Sequence, residues 1–213
     1  MSDWSEQGDA GEDGKRYLRV IDYKTGHMGL SYEDLYHGLK LQLPLYLAAA
    51  AAADALSAPD EAVIPAGMYY LPVKEPSLSE GVSAEDVERK LLDALRLQGI
   101  TLKETEIIRI SAGSAVGIAE GKQTPTKVAA RDELEGILKH AVERSKQTAE
   151  EILSGEIKAS PFWRRREVYA CRFCDYGALC RFDTALDGCA YRGIGKMKSG
   201  EFYERVKADG MDG

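Results

Sequence analysis

Long apolar runs are missing from this 213-residue chain. The most apolar stretch, Leu41 to Ala53, is too short to span a bilayer and is interrupted by Gln42, and no secretory signal opens the sequence. The expectation is a soluble, cytoplasmic protein. Positive charge is in deficit. With 28 Lys and Arg against 35 Asp and Glu, the formal charge is -7, so the surface as a whole is no nucleic-acid footprint, although a local basic groove on an acidic body stays open. Cysteine is absent until the final fifth, where Cys171, Cys174, Cys180 and Cys189 fall together. In a reducing compartment such clustering favours a metal over disulfides. Glycine is missing where a phosphate loop needs it: five residues before Gly121 of "AEGKQT" stands Val116, which excludes an ATP site of that kind. No internal repeat is present either.

What is there is a succession of local patterns. Met1 to Gly14 is rich in Gly, Asp, Glu and Ser and is expected as a flexible tail. From Tyr17, "YLRVIDYK" alternates as a strand does, with Leu18, Val20, Asp22 and Lys24 on one face. Gly26 and Gly29 break it. Ser31 followed by Asp34 reads as a capping box, and the alanine-heavy stretch to about Leu56 as one long helix. Pro44 is expected to kink that helix by removing a backbone donor and crowding the Lys40 carbonyl. Ile64 to Val73 reads as a second strand bounded by prolines. Ser83 is placed to cap a helix through Gln98, with Gly99 ending it. Ile107 to Val128 is less regular, and Arg131 to Gly155 is a charged amphipathic helix stopped by Gly155. The order points to an α/β or α+β class. The expected division is a tail at 1–14, a core at 15–160, a Cys-rich segment at 161–192 and a C-terminal tail at 193–213.

A strand sends residues i and i+2 to the same side, so Asp22 and Lys24 can enter one site. A carboxylate can hold a divalent metal that polarises a phosphate and lowers the pKa of a bound water. A nearby ammonium can orient that water or stabilise charge growing on the phosphorane oxygens. The pair therefore suits phosphodiester hydrolysis, with an edge-strand ion pair as the alternative for D-x-K taken alone. Gln42 and Tyr46 are spaced i to i+4 and project from one helix face, where an amide and a phenol can contact a DNA backbone or a metal shell. His27 and His37 are candidate accessories.

In combination, "VIDYKTG", "GLKLQLPLY" and "GMYYLPV" resemble the RecB-like branch of the PD-(D/E)XK nucleases, where D-x-K is followed by a Q-x-x-x-Y helix and a further strand. The segments "RLQGITLKETEII", "ILSGEIKASP" and "CRFCDYGALCRFD" followed by "YR" extend the likeness over roughly residues 17 to 192. They resemble the C-terminal nuclease region found in the B subunits of bacterial ATP-dependent helicase/deoxyribonucleases. The resemblance implies a restriction-endonuclease-like α/β fold, a central mixed sheet flanked by helices, with a C-terminal Cys-rich segment. It implies a DNA exonuclease domain that works on double-strand ends and unwound single strands, in break repair by homologous recombination, with the helicase-nuclease A subunit as its heterodimer partner. By the same resemblance Asp22 is a Mg2+ ligand, Tyr23 a second through its backbone carbonyl, Lys24 the catalytic lysine, and Gln42 and Tyr46 the helix motif.

The family also carries a preceding strand with a "G-R-I-D-R-I-D"-like motif that supplies another metal ligand, and an upstream helix with a further site residue. Neither is found here. Asp9, Glu12 and Asp13 fall where the turn between those strands would be and are not taken as ligands. The expectation is an N-terminally truncated core that, alone with magnesium, shows little nuclease activity. The alternatives are a catalytically inactive module that binds DNA ends or a partner protein, and a stand-alone or CRISPR-associated RecB-like exonuclease.

Cys171, Cys174 and Cys180 form C-x2-C-x5-C, and thiolates are soft ligands for zinc or iron–sulfur centres. Spacing alone favours zinc. The resemblance implies a [4Fe-4S] cluster completed by a cysteine from upstream of the core, absent from this sequence; Cys189 is the alternative fourth ligand. Trp163, Arg164, Arg165, Arg166, Arg172, Arg181 and Arg192 surround the motif and suit DNA contact, a protein interface or a solvated loop alike.

Overall fold

The computed structural model of the chain describes residues 15–26, 29–59, 62–73, 83–104, 107, 127–164 and 169–209. Asp9, Glu12, Asp13, His27, the "AEGKQT" run, Arg165 and Arg166 lie outside them. Two compact units divide the chain, Met1–Leu30 with Lys40–Val142, and Ser31–Leu39 with Glu143–Gly213.

The first unit is built on a four-stranded sheet of β1 (Lys15–Lys24), β2 (Ala62–Pro72), β3 (Gln98–Leu102) and β4 (Lys127–Ala129), in that spatial order. β1 and β2 run parallel, β2 and β3 antiparallel, and β3 and β4 parallel, so the sheet is mixed and the class is α/β. Between β1 and β2 the chain forms helix α2 (Gln42–Ser57), which packs on both strands, as a parallel crossover requires. Arg16 of β1 pairs with Asp54 of α2 at 3.3 Å, which puts α2 over the even-numbered face of β1. Leu43, Leu47, Met68, Tyr69, Ile100 and Ala129 are fully buried in this layer.

Proline lies inside β2 rather than only at its ends. Pro65 is tolerated because the β1–β2 register slips there: Leu18 faces Pro65 and Arg19 faces Gly67, which leaves Ala66 as a bulge, and pairing with β3 begins only at Gly67. The helix after Ser83, α3 (Ala84–Ala94), is capped as expected, the Ser83 hydroxyl accepting from Asp86 N at 3.2 Å. Its end differs from expectation. Gly99 is not a helix stop; it sits within β3 opposite Tyr69, where the Met68 carbonyl takes the space a Cβ would need. Glycine is required there by close strand approach, not by helix termination.

The single long helix expected from Ser31 is two helices. α1 (Tyr32–Tyr36) begins at Ser31, whose hydroxyl accepts from Asp34 N, and the chain then turns through Gly38 at φ 75°. Pro44 causes no kink. It lies in the first turn of α2, where its missing donor would have had no intrahelical partner, and the first bond of the ladder runs from Leu45 N to the Leu41 carbonyl at 3.0 Å.

Helix α4 (Arg131–Leu153) buries Leu134, Ile137, Leu138 and Ala141 and ends as expected at Gly155, whose φ of 79° is open to glycine at no steric penalty. In the second unit, β5 (Phe162–Trp163) pairs in parallel with β6 (Arg192–Gly193), and short helices α5 (Tyr169–Arg172) and α6 (Gly177–Cys180) carry the first cysteines. The segment 193–213, expected as a tail, contains helix α7 (Ser199–Asp209). Its Phe202 is fully buried, with its ring 5.5 Å from that of Tyr32. No helix among the described residues is long and apolar enough to cross a membrane.

Candidate active site

The carboxyl ends of parallel β1 and β2 lie side by side, the position at which open α/β sheets usually hold ligands. β1 delivers Asp22 and Lys24 there on the face covered by α2. Lys24 Nζ stands 2.9 Å from Asp22 Oδ2 and donates to Gln42 Oε1 at 3.1 Å. Gln42 Nε2 in turn donates to the Tyr46 hydroxyl at 3.1 Å. All four residues singled out from the sequence thus join in one unbroken chain of polar contacts. Both elements contribute through their period: alternation brings the acid and the lysine to one face, and one helical turn aligns the amide with the phenol. Gln42 is the first residue of α2, and no side chain caps that helix, so the positive end of its dipole is part of the site.

Asp22 Oδ2 is buried and accepts no hydrogen bond, because the nearby Lys24 ammonium lies off the direction of its lone pairs. An orphaned carboxylate oxygen is a suitable hard ligand for Mg2+, which usually takes one or two carboxylates and fills its remaining positions with water and phosphate oxygens. The Lys24 carbonyl accepts from Val73 N at 2.8 Å on the β2 side. By strand alternation the Tyr23 carbonyl is then directed away from β2, and the Tyr23 side chain lies on the face opposite Asp22. The oxygen donors present fit an open, solvent-completed Mg2+ site. They do not make a closed one: among the described residues no three His, Cys, Asp or Glu side chains are gathered to hold a metal.

That finding extends to the thiols. Cys171, Cys174 and Cys180 are exposed and Cys189 is half-buried, all four free. Their softness suits an iron–sulfur cluster or zinc, yet their arrangement here does not converge on one centre, and no chemical step is derived through them. His37 belongs to the second unit, where burial and the neighbouring guanidinium groups of Arg192, Arg144, Arg205 and Arg164 hold its pKa below the ordinary imidazole value. Its role as a site accessory has no geometric support. Arg164 is committed to the buried carboxylate of Asp34.

One neighbour of the site has no signal in the sequence. Tyr70 sits opposite Asp22 in the β1–β2 register, and its ring centroid lies 6.0 Å from Lys24 Nζ. The strand "GMYYLPV" is legible, but which of its two tyrosines meets the acid is a matter of register, and no local pattern encodes that.

Comparison with known proteins bears on this geometry. A family model described as the PD-(D/E)XK nuclease superfamily matches residues 9–181. The B subunit of the ATP-dependent helicase/deoxyribonuclease from Desulforudis audaxviator is 36% identical over 203 residues, covering 90% of this chain and 17% of that protein. The protein of the same description from Moorella thermoacetica is 35% identical over 209 residues, covering 92% and 18%. That of Thermoanaerobacter pseudethanolicus is 31% identical over 207 residues, covering 91% and 18%. The chain therefore spans less than a fifth of the length of these relatives.

Proposed function

We propose that this chain, which belongs to the PD-(D/E)XK nuclease superfamily, supplies the phosphodiester-cleaving site of a helicase–deoxyribonuclease, with Asp22, Lys24, Gln42 and Tyr46 as its working residues. The observation that carries this reading is the continuous contact chain from Asp22 Oδ2 through Lys24 and Gln42 to the Tyr46 hydroxyl. In an edge-strand ion pair with no further role, the helix amide would have no reason to meet the lysine.

Asp22 and the Tyr23 carbonyl would hold Mg2+, which when bound polarises the phosphate and lowers the pKa of a coordinated water. The Lys24 ammonium, aimed by two oxygens, is placed to orient the attacking water or to meet the charge that grows on the phosphorane oxygens. Gln42 fixes the lysine from the helix side, and because its amide nitrogen is engaged by Tyr46, its oxygen is the atom turned toward Lys24. The Tyr46 hydroxyl accepts from that amide and keeps its own proton for a strand-backbone oxygen.

The substrate in this reading is DNA, degraded from ends as a helicase partner unwinds them, in double-strand break repair by recombination. The names of the relatives support deoxyribonuclease action and assembly with a helicase partner. The test is cleavage of an end-labelled duplex by the full-length protein with its partner. Asp22→Ala is expected to abolish hydrolysis while DNA binding persists; cleavage at the wild-type rate by that variant would overturn the assignment.

A further inference from the structure

A lysine side chain has four rotatable bonds, and a catalytic ammonium must be held in one of many rotamers. Asp22 and Gln42 hold Lys24 from two directions. The third is closed by Tyr70. Its backbone is pinned on both sides, opposite Asp22 in β1 and opposite Gln98 in β3, so its ring is carried by the central part of the sheet. It is only 3% exposed, and its centroid lies 6.0 Å from Lys24 Nζ. An aromatic ring carries a negative quadrupole face, and its attraction for a cation grows where water is excluded.

We propose that Tyr70 is a positioning residue of the hydrolytic site: its ring forms the floor beneath Lys24 and keeps the ammonium between Asp22 and Gln42. This rests on Lys24 being a working residue of the nuclease. The ring suits the task in a way that a second carboxylate would not. A carboxylate would compete for the metal and for the lysine together, and the Asp22 hold on Lys24 weakens as its oxygens are drawn to a cation. A neutral ring binds no hard cation through oxygen, so its hold on the ammonium is independent of metal occupancy. Tyr70 touches no reacting atom and acts only through Lys24.

The experiment is a set of side chains at position 70 in the full-length protein, each read in Lys24 and in Lys24→Met backgrounds. Tyr70→Phe keeps the ring and retains near-wild-type kcat. Tyr70→Leu removes the ring face and lowers kcat by about 2- to 30-fold with KM unchanged. A series of increasingly fluorinated phenylalanines at position 70 keeps the packing and weakens the quadrupole, so kcat falls step by step from the Phe value even if the leucine variant folds poorly. In the Lys24→Met background the whole series is flat.

A second readout needs no turnover. In the full chain with 13C-methylated lysines, the Lys24 methyl signal, assigned by its loss in Lys24→Arg, moves when fluorination is introduced at position 70. Equal losses with and without Lys24, or a kcat and a methyl signal indifferent to fluorination, would overturn the role of Tyr70. Undiminished cleavage by Asp22→Ala would instead remove the nuclease reading itself, so the two failures are told apart.

Discussion

The Arg164 guanidinium donates to the Asp34 carboxylate, an ion pair that joins the end of β5 to α1 across 130 positions of sequence. Asp34 is buried and Arg164 keeps partial contact with solvent. Removing one partner strands the other, which costs more than the pair contributes as a unit. Asp34→Asn is therefore expected to destabilise the second unit by about 3 kcal/mol, the lower end for a buried pair. The combined Asp34→Leu, Arg164→Met variant should recover most of that loss. Chemical denaturation of the three proteins checks both, and equal stabilities would show that the pair carries no weight.

At the candidate active site, the contact chain predicts graded effects. Lys24→Met should slow single-turnover cleavage about 100-fold or more, as loss of a transition-state donor does elsewhere. Gln42→Ala should slow it about tenfold, the equivalent of one hydrogen bond. DNA affinity should change little in either. A Gln42→Ala effect larger than that of Lys24→Met would reverse the order of importance that the contacts imply.

Two glycines make opposite predictions. Gly99→Ala drives a methyl into the Met68 carbonyl and must part β2 from β3, a loss of about 2 kcal/mol or more. Gly136, within α4, has open space around its Cβ position, so Gly136→Ala should stabilise by about 0.5–1 kcal/mol through helix propensity. Thermal unfolding of the pair is the measurement, and shifts of the same sign would contradict the strand assignment of Gly99.

Glu104 provides an acid-sensitive contact. Its carboxylate accepts from Arg131, and from the Tyr17 hydroxyl at 2.8 Å, and the Arg131 hydrogen bond above all holds its pKa below the usual carboxylate value. A depressed folded-state pKa contributes stability that is present above the unfolded-state value of about 4.3 and is lost as pH falls through the folded value. Glu104→Gln should therefore be less stable than wild type at neutral pH and should approach it below about pH 4. A stability difference that stays constant across that range would refute the contact.

What the sequence disclosed follows the reach of its signals. The β1 alternation, the Ser83 cap and the Gly155 stop are each decided within a few residues, and each stands in the structure as read. The same local reading fails where tertiary contact decides. A glycine after a helical pattern suggests a stop, yet Gly99 answers to the backbone of a neighbouring strand. The alanine run hides the end of α1, because the turn at Gly38 is flanked by residues that suit helices on either side. Helix α7 is legible in principle from Ser199 ahead of Phe202, Tyr203 and Val206, but the small, charged residues around it suggest a tail. Tyr70 lies beyond sequence altogether, because a parallel register depends on the whole crossover between two strands.

That crossover has a consequence for how the protein reaches its working form. The lysine and the amide that meet in space are separated by only 18 positions, and the tyrosine beneath them arrives on the next strand after α2. A constellation closed over so short a stretch of chain carries a small entropic penalty and can assemble before distant segments dock. Insertions after β2 would lengthen the molecule without touching it, so this strand–helix–strand turn can be transplanted as a unit into larger machines.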